Sequence, residues 1–307
     1  MKKFSFVKAA KIFKKACKNW WSRDPFRESS IIAYYSIFSL PGLLVVIISI
    51  AGYFFGDDAV NGELHSQVAQ SIGTDAADKI QGIVMIAKKS RDTVWASIMG
   101  VAIIITGAIG VFVQLQKSLN AIWEVKASTK KSGIWIFLKT RIFSFGLIIS
   151  IAFLLLISLV LSSLLSALSS WVMLNWSESF LIVFQIVDMV ISLAIITVLF
   201  ALMFKFLPDA RIKWPSIWMG AFITSILFGL GKSALGLYFG KVDPGSGYGA
   251  AGSVILILLW TSYSSMIVFF GAEFTKVYSD SLYGEIPSTA IAVKEKLPAE
   301  KDELAKI

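Results

Sequence analysis

FLIVFQIVDMVISLAIITVLFALMFKFL, residues 180–207, is the stretch on which the fold turns. Asp188 and Lys205 are its only charges, and the sixteen residues between them carry none. A helix lying on a soluble core keeps a charged or polar stripe toward water along its whole length. Residues 189–204 offer only Ser192 and Thr197 for that purpose. At about 1.5 Å per residue the segment is longer than the ~30 Å hydrocarbon layer of a bilayer. It reads as a membrane-spanning helix, the conformation that closes its backbone hydrogen bonds within one segment.

The same test, carried outward along the chain, finds five further spans: Ser29–Phe55, Thr93–Gln116, Ile142–Leu168, Ser216–Gly240 and Ala250–Phe274. With Phe180–Leu207 they make six and take up most of the 307 residues. The composition agrees, with 56% hydrophobic and 16% charged residues and a mean hydropathy of +0.73. Soluble domains carry about 25% charged residues. The expected fold class is therefore all-α, a polytopic integral membrane protein with six transmembrane helices. The strict alternation of a membrane barrel is missing.

Orientation follows from the basic residues. Residues 1–28 hold nine Lys and Arg against two acids, and residues 117–141 hold six against one. With the N-terminus inside, 23 of the 29 basic residues fall on cytoplasmic segments and five on outer ones. Because Lys and Arg accumulate in cytoplasmic loops, both termini are expected in the cytoplasm. The net charge of +9 is thereby explained by membrane orientation, without nucleic acid as a partner.

Outside the transmembrane domain (29–276) three segments stand apart. Residues 1–28 read as a basic amphipathic helix, in which Phe6, Phe13 and Trp20 recur every seven residues with Ala9, Ala10, Ala16 and Cys17 beside them. Lys8, Lys11, Lys14, Lys15 and Lys18 fill the rest. Such a helix suits the headgroup layer, with Lys8, Lys11, Lys15, Lys18 and Trp20 meeting anionic lipid, and equally the cytoplasmic ends of the spans. The small external segment 56–92 carries two short helical stripes, Leu64/Val68/Ile72 and Ile80/Ile83/Val84/Ala87. Residues 277–307, polar and mixed in charge, read as a mobile cytoplasmic tail.

Ionisable groups inside spans cost roughly 2.5–3.5 kcal/mol on insertion scales and face a bundle interior or a wet cavity. Asp188 and Lys232 qualify. Each falls about 6–8 Å outward of its span's centre, so opposite charges at matching depth on consecutive helices are expected to pair. Gln185 shares the helix face of Asp188, and Gln114 adds an amide in span two, completing a candidate intramembrane polar site. At the cytoplasmic boundary Glu273 is expected to meet Arg141, Lys205 or Arg211. Small residues at four-residue spacing, Ser225, Gly229 and Ser233 above all, mark expected close helix contacts.

No catalytic signature accompanies this architecture: no GxSxG elbow, no HExxH and no Cys/His constellation, with one cysteine, Cys17, and one histidine, His65. The protein is therefore expected not to be an enzyme and to bind no cofactor or metal.

Several segments resemble one family. Ala33-Tyr-Tyr-Ser-Ile-Phe-Ser-Leu-Pro41 is similar to the AYYxxxSLxP stretch of the YihY/BrkB family of bacterial inner-membrane proteins, with LPG at Pro41. Phe112-Val-Gln-Leu-Gln-Lys-Ser-Leu-Asn-Ala-Ile-Trp123 resembles its LQxALNxIW segment. Lys232, Leu237-Tyr238, Tyr248-Gly249-Ala250, Leu258-Leu-Trp260 and Phe270-Gly-Ala-Glu273 follow its K…LY…YGA…LLW…GAE series in order. The family's GALGA-like turn is Gly249-Ala-Ala-Gly-Ser here. The resemblance implies a six-span protein, in a group linked to virulence and serum resistance and once labelled ribonuclease BN, a label that looks like a misassignment.

Two functions compete. A transport-related protein for a lipid or other amphiphile would use the Asp188/Lys232 patch, the Pro41 break in span one and the basic N-terminus. A non-transporting scaffold or regulator would bind envelope partners through 56–92. A homo-oligomer is compatible with both, and a nuclease has no site to build on.

Overall fold

The computed structural model describes residues 6–38, 110–127, 179–242 and 252–284, with scattered positions between 62 and 82 and at 244, 247, 248, 287 and 292–294. These form α1 (Phe6–Ser22), α2 (25–38), α3 (110–122), β1 (Val125–Ala127), α4 (Ser179–Phe206), α5 (Trp214–Val242), α6 (Gly252–Tyr283) and β2 (Ala292–Lys294). Among the described residues three helices are long and apolar enough to cross a membrane, over Met189–Phe206, Trp214–Val242 and Val254–Tyr283. They coincide with the fourth, fifth and sixth expected spans. The third span, most of the first two and most of the segment 56–92 lie outside the described residues.

The chain divides into two compact units. In the unit made of residues 1–20, 117–226 and 269–307, α5 and α6 run antiparallel and interlock. Gly220 lies under the side chain of Thr275, and Gly271 under that of Thr224, so closely that a Cβ on either glycine would overlap the threonine hydroxyl. Each threonine hydroxyl donates to the carbonyl four residues back, Thr224 to Gly220 and Thr275 to Gly271, both at 2.7 Å. Both hydroxyls are thus satisfied within their own helix even though Oγ1 is the atom seated deepest in the partner's glycine hollow. Between α4 and α5, Thr197 Oγ1 and Ser225 Oγ lie 2.8 Å apart in a buried contact. Over residues 269–277 α6 is buried on every side. Phe270 there receives the edges of Phe13 and Trp20 from α1, at centroid distances of 5.4 and 6.0 Å.

Proline and glycine set the ends of these helices. Pro208 cannot continue α4, whose last turn carries Lys205 beside the negative end of the helix dipole. Gly284 takes φ +76°, and its N–H reaches the Asp280 carbonyl at 3.1 Å, closing α6 with a left-handed cap. The residues read as a mobile tail thus extend α6 to Tyr283 and supply β2, which pairs antiparallel with β1, Val125 opposite Lys294 and Ala127 opposite Ala292.

In the unit made of residues 21–116 and 227–268, Asp24 in a left-handed conformation (φ 52°) precedes Pro25 and accepts from the Arg27 N–H at 3.4 Å, starting α2. Ser29 of α2 bonds Ser262 of α6 at 3.0 Å. Tyr35 lies flat on α3 at Gly110, where a Cβ would come within 2.5 Å of its ring. Gly231 of α5 gives the same clearance to Tyr263 and Ile267 of α6. Of the small residues expected to mark helix contacts, Ser225 does meet Thr197 of α4, whereas a Cβ on Gly229, Gly236 or Gly240 would have no described atom within 4 Å. The close approaches of α5 to α6 run instead along Gly220 and Gly231, on another arc of the helix.

Gly220→Ala should therefore lower stability by about 1–3 kcal/mol through overpacking, whereas Gly229→Ala should be neutral or slightly stabilising. Unfolding by intrinsic fluorescence in detergent checks this, and equal effects at the two positions would contradict the interlock.

Candidate functional site

The densest polar grouping among the described residues lies in the first unit, where α3 ends. Leu119, Ile122 and Trp123 are almost wholly buried and fix the last turn of α3 in the core. That anchoring aims Asn120 at the loop joining α4 and α5. Its Oδ1 accepts from the Asp209 N–H at 2.8 Å, and its Nδ2 donates to the Asp209 carboxylate at 2.9 Å. A two-point bond of this kind fixes both position and orientation of the loop. Farther round the loop, Lys205 donates to the Ile212 carbonyl at 2.7 Å and lies 5.4 Å from the Trp214 ring. The Arg211 N–H donates to the Pro287 carbonyl at 3.0 Å, and Lys213 sits over the Tyr283 ring at 4.1 Å.

Glu124, in a left-handed conformation (φ 54°), turns the chain from α3 into β1 and forms an ion pair with Lys276 of α6. Lys276 is one turn beyond Glu273, whose carboxylate is fully buried. Glu273 and the Lys276 ammonium are thereby drawn out of water near one end of α6, while Glu124 stays partly exposed. Such burial is tolerated only where charges meet charges or donors. These contacts hold elements together. Among the described residues no three His, Cys, Asp or Glu side chains gather as metal ligands would.

The residues singled out in the sequence fall in different places. Asp188 and Gln185 lie on α4 with side chains outside the described residues, so their expected meeting with Lys232 lies outside as well. Lys232 is half-buried on α5. Gln114 donates to Glu28 of α2 at 3.0 Å. Glu273 is buried, Lys205 and Arg211 make the contacts given above, and Arg141 lies outside the described residues. Of the proposed headgroup residues, Lys11, Lys15 and Lys18 are exposed, Lys8 is half-buried and Trp20 packs on Phe270. Within residues 56–92, His65 bonds Asp78 at 2.7 Å. The Asn120–Asp209 and Glu124–Lys276 contacts were not foreseen. Asn120 is legible only as a polar residue among buried Leu119, Ile122 and Trp123, and no spacing rule links it to Asp209.

Asn120→Ala should remove both bonds to Asp209 and destabilise the protein by about 1–3 kcal/mol. Asp209→Ala should cost a similar amount, and the double variant no more than the larger single, since one contact is lost in each case. Additive losses in thermal unfolding would show that the two residues act separately.

Three comparisons place this arrangement among known proteins. The family described as virulence factor BrkB matches residues 16–294. A UPF0761 membrane protein of Pseudoalteromonas atlantica is 24% identical over 300 residues, covering 96% of this chain and 95% of that protein. A UPF0761 membrane protein of Saccharophagus degradans is 25% identical over 263 residues, covering 85% of this chain and 58% of its own length. This chain therefore spans nearly all of the first relative and little more than half of the second. No solved structure matches. The family match runs from within α1 to the end of β2 and takes in the Asn120 clamp, the Gly–Thr interlock and Lys232; the chain belongs to the BrkB virulence-factor family of membrane proteins.

Proposed function

We propose that the protein is a six-span protein of the bacterial inner membrane, both termini in the cytoplasm, that passes a lipid or other amphiphile through the bilayer without making or breaking covalent bonds in it. The observation that carries this reading is the position of Lys232. It lies four residues past the middle of α5, about 6 Å along the axis, where an ammonium costs roughly 2.5–3.5 kcal/mol to insert. It shares an arc with Ile217, Ala221, Ser225 and Phe228, the inward arc of the helix, while Met219, Phe222, Ile226, Leu230 and Leu237 occupy the exposed one. A cation kept at membrane depth on the inward arc suits the anionic headgroup of an amphiphile. The relatives, described as membrane proteins, support the membrane placement, and the distribution of Lys and Arg supports the orientation.

The test is lipid passage in proteoliposomes, read with fluorescent phosphatidylglycerol and a membrane-impermeant quencher. Lys232→Met should slow passage roughly tenfold or more, the loss expected for one charge-assisted hydrogen bond, and Lys232→Arg should keep most of it. A stable Lys232→Met protein that passes lipid at the wild-type rate would end the transport reading and leave the scaffold role. Reporters fused after Gly240 or within 56–92 should read external, and reporters at either end of the chain cytoplasmic; a cytoplasmic reading from 56–92 would overturn the orientation.

A further inference from the structure

α1 divides its circumference three ways. Ala9, Ile12, Ala16 and Trp20, spaced three or four residues apart, form the face against the protein, where Ile12 and Ala16 are buried and Trp20 meets Phe270. Lys11, Lys14, Lys15 and Lys18 form a second face, and all four are exposed. Between them runs a third, Phe13, Cys17 and Trp21, at strict four-residue spacing. Phe13 keeps 47% of its surface open beyond its contact with Phe270, and Trp21 keeps 65%. A two-faced helix resting on a soluble domain has no use for the third face, because large aromatics beside lysines would stand in water.

We propose that α1 is an anionic-lipid clamp, its lysine face binding the phosphates of acidic phospholipids in the surrounding bilayer while the Phe13/Cys17/Trp21 strip rests on their acyl chains. Three observations select a bilayer over other acidic partners. An aromatic strip flanking a lysine row is the pattern of helices lying in the membrane interface, where Trp and Lys gather at headgroup depth. A nucleic acid or an acidic protein would engage the lysines and leave the strip uncovered. Lastly, α1 sits at the right depth: Phe270, its support, lies eighteen residues along α6 from Gly252, about 27 Å, close to the ~30 Å thickness of the hydrocarbon. The inference is independent of whether the protein passes lipid.

Cys17, the single cysteine, gives the readout. The full chain carries bimane at Cys17, or in a second form at position 21 after Cys17→Ser and Trp21→Cys, and is placed one copy per nanodisc. The discs are symmetric in lipid, so the result does not depend on orientation. At equal mole fraction, brominated phosphatidylglycerol should quench the label at least about twofold more than brominated phosphatidylcholine, reflecting local enrichment of acidic lipid by the lysines. The preference should vanish when Lys11, Lys14, Lys15 and Lys18 are all replaced by Gln, and also at ~1 M salt, where screening acts within about 3 Å. Equal quenching by the two lipids in the unmodified chain would overturn the lysine half of the proposal. Absence of quenching by either lipid at both label positions would overturn it entirely and assign the strip to a protein partner or a second copy.

Discussion

The reciprocal seating of Thr275 on Gly220 and of Thr224 on Gly271 governs the unit built around α5 and α6. Inside a membrane, lipid tails are as apolar as leucine, and two helices gain nothing from hiding apolar surface against each other. What holds them is close van der Waals contact, and that needs a hollow on one backbone and a knob on the other. The two helices carry the same five-residue pattern, Gly220-Ala-Phe-Ile-Thr224 and Gly271-Ala-Glu-Phe-Thr275. Run antiparallel, each pattern offers its hollow where the other offers its knob. The threonine hydroxyl, bonded to its own helix, makes the knob affordable in an apolar setting.

From that contact the neighbouring elements take their positions. Phe270 directly precedes Gly271, and α1 rests on it through Phe13 and Trp20. Lys276 directly follows Thr275, and its ion pair with Glu124 sets the turn from α3 into β1. On one stretch α6 therefore shows glycine and threonine to α5, phenylalanine to α1 and charge to the end of α3. This accounts for its burial on every side there. A surface helix would need one polar stripe; a helix with three different neighbours needs three different stripes.

The apolar runs made the helices legible. Phe180–Leu207, Ser216–Gly240 and Ala250–Phe274 were read as spans, and the helices are Ser179–Phe206, Trp214–Val242 and Gly252–Tyr283. The largest difference, nine residues at the end of α6, has a plain cause. Lys276 and Asp280 set the end of the span as read from the sequence, but a helix does not stop at a charge and continues to Gly284, where the backbone turns left-handed. The end of an apolar run and the end of a helix are set by different residues, here Lys276 and Gly284, and the two need not coincide. The candidate site was less legible. Small residues at four-residue spacing led to Ser225, which meets Thr197 of α4, and to Gly229 and Ser233, whereas the glycines that meet α6 are Gly220 and Gly231, eleven residues and three turns apart. The repeated Gly-Ala-x-x-Thr pattern was present in the chain. Asn120 with Asp209, and Glu124 with Lys276, join residues 89 and 152 positions apart, a separation that no helical or strand period encodes.

The placement of charge along α6 and its neighbours separates what holds the protein from what it offers to its surroundings. Asp209, Glu124 and Lys276 are engaged by named partners, and Glu273 is sealed from solvent, so a ligand could reach them only by breaking existing contacts or unpacking the core. The four exposed lysines of α1 are different: they share one face, beside an aromatic strip that water does not favour. Lys232 differs again, half-buried within the apolar length of α5 on the arc turned inward. Charges that stabilise a fold are drawn together, because each reduces the desolvation cost of the other. The exposed lysines of α1 carry no such cost, and among the described residues they and Lys232 are charges that a further partner could meet without breaking a contact named above.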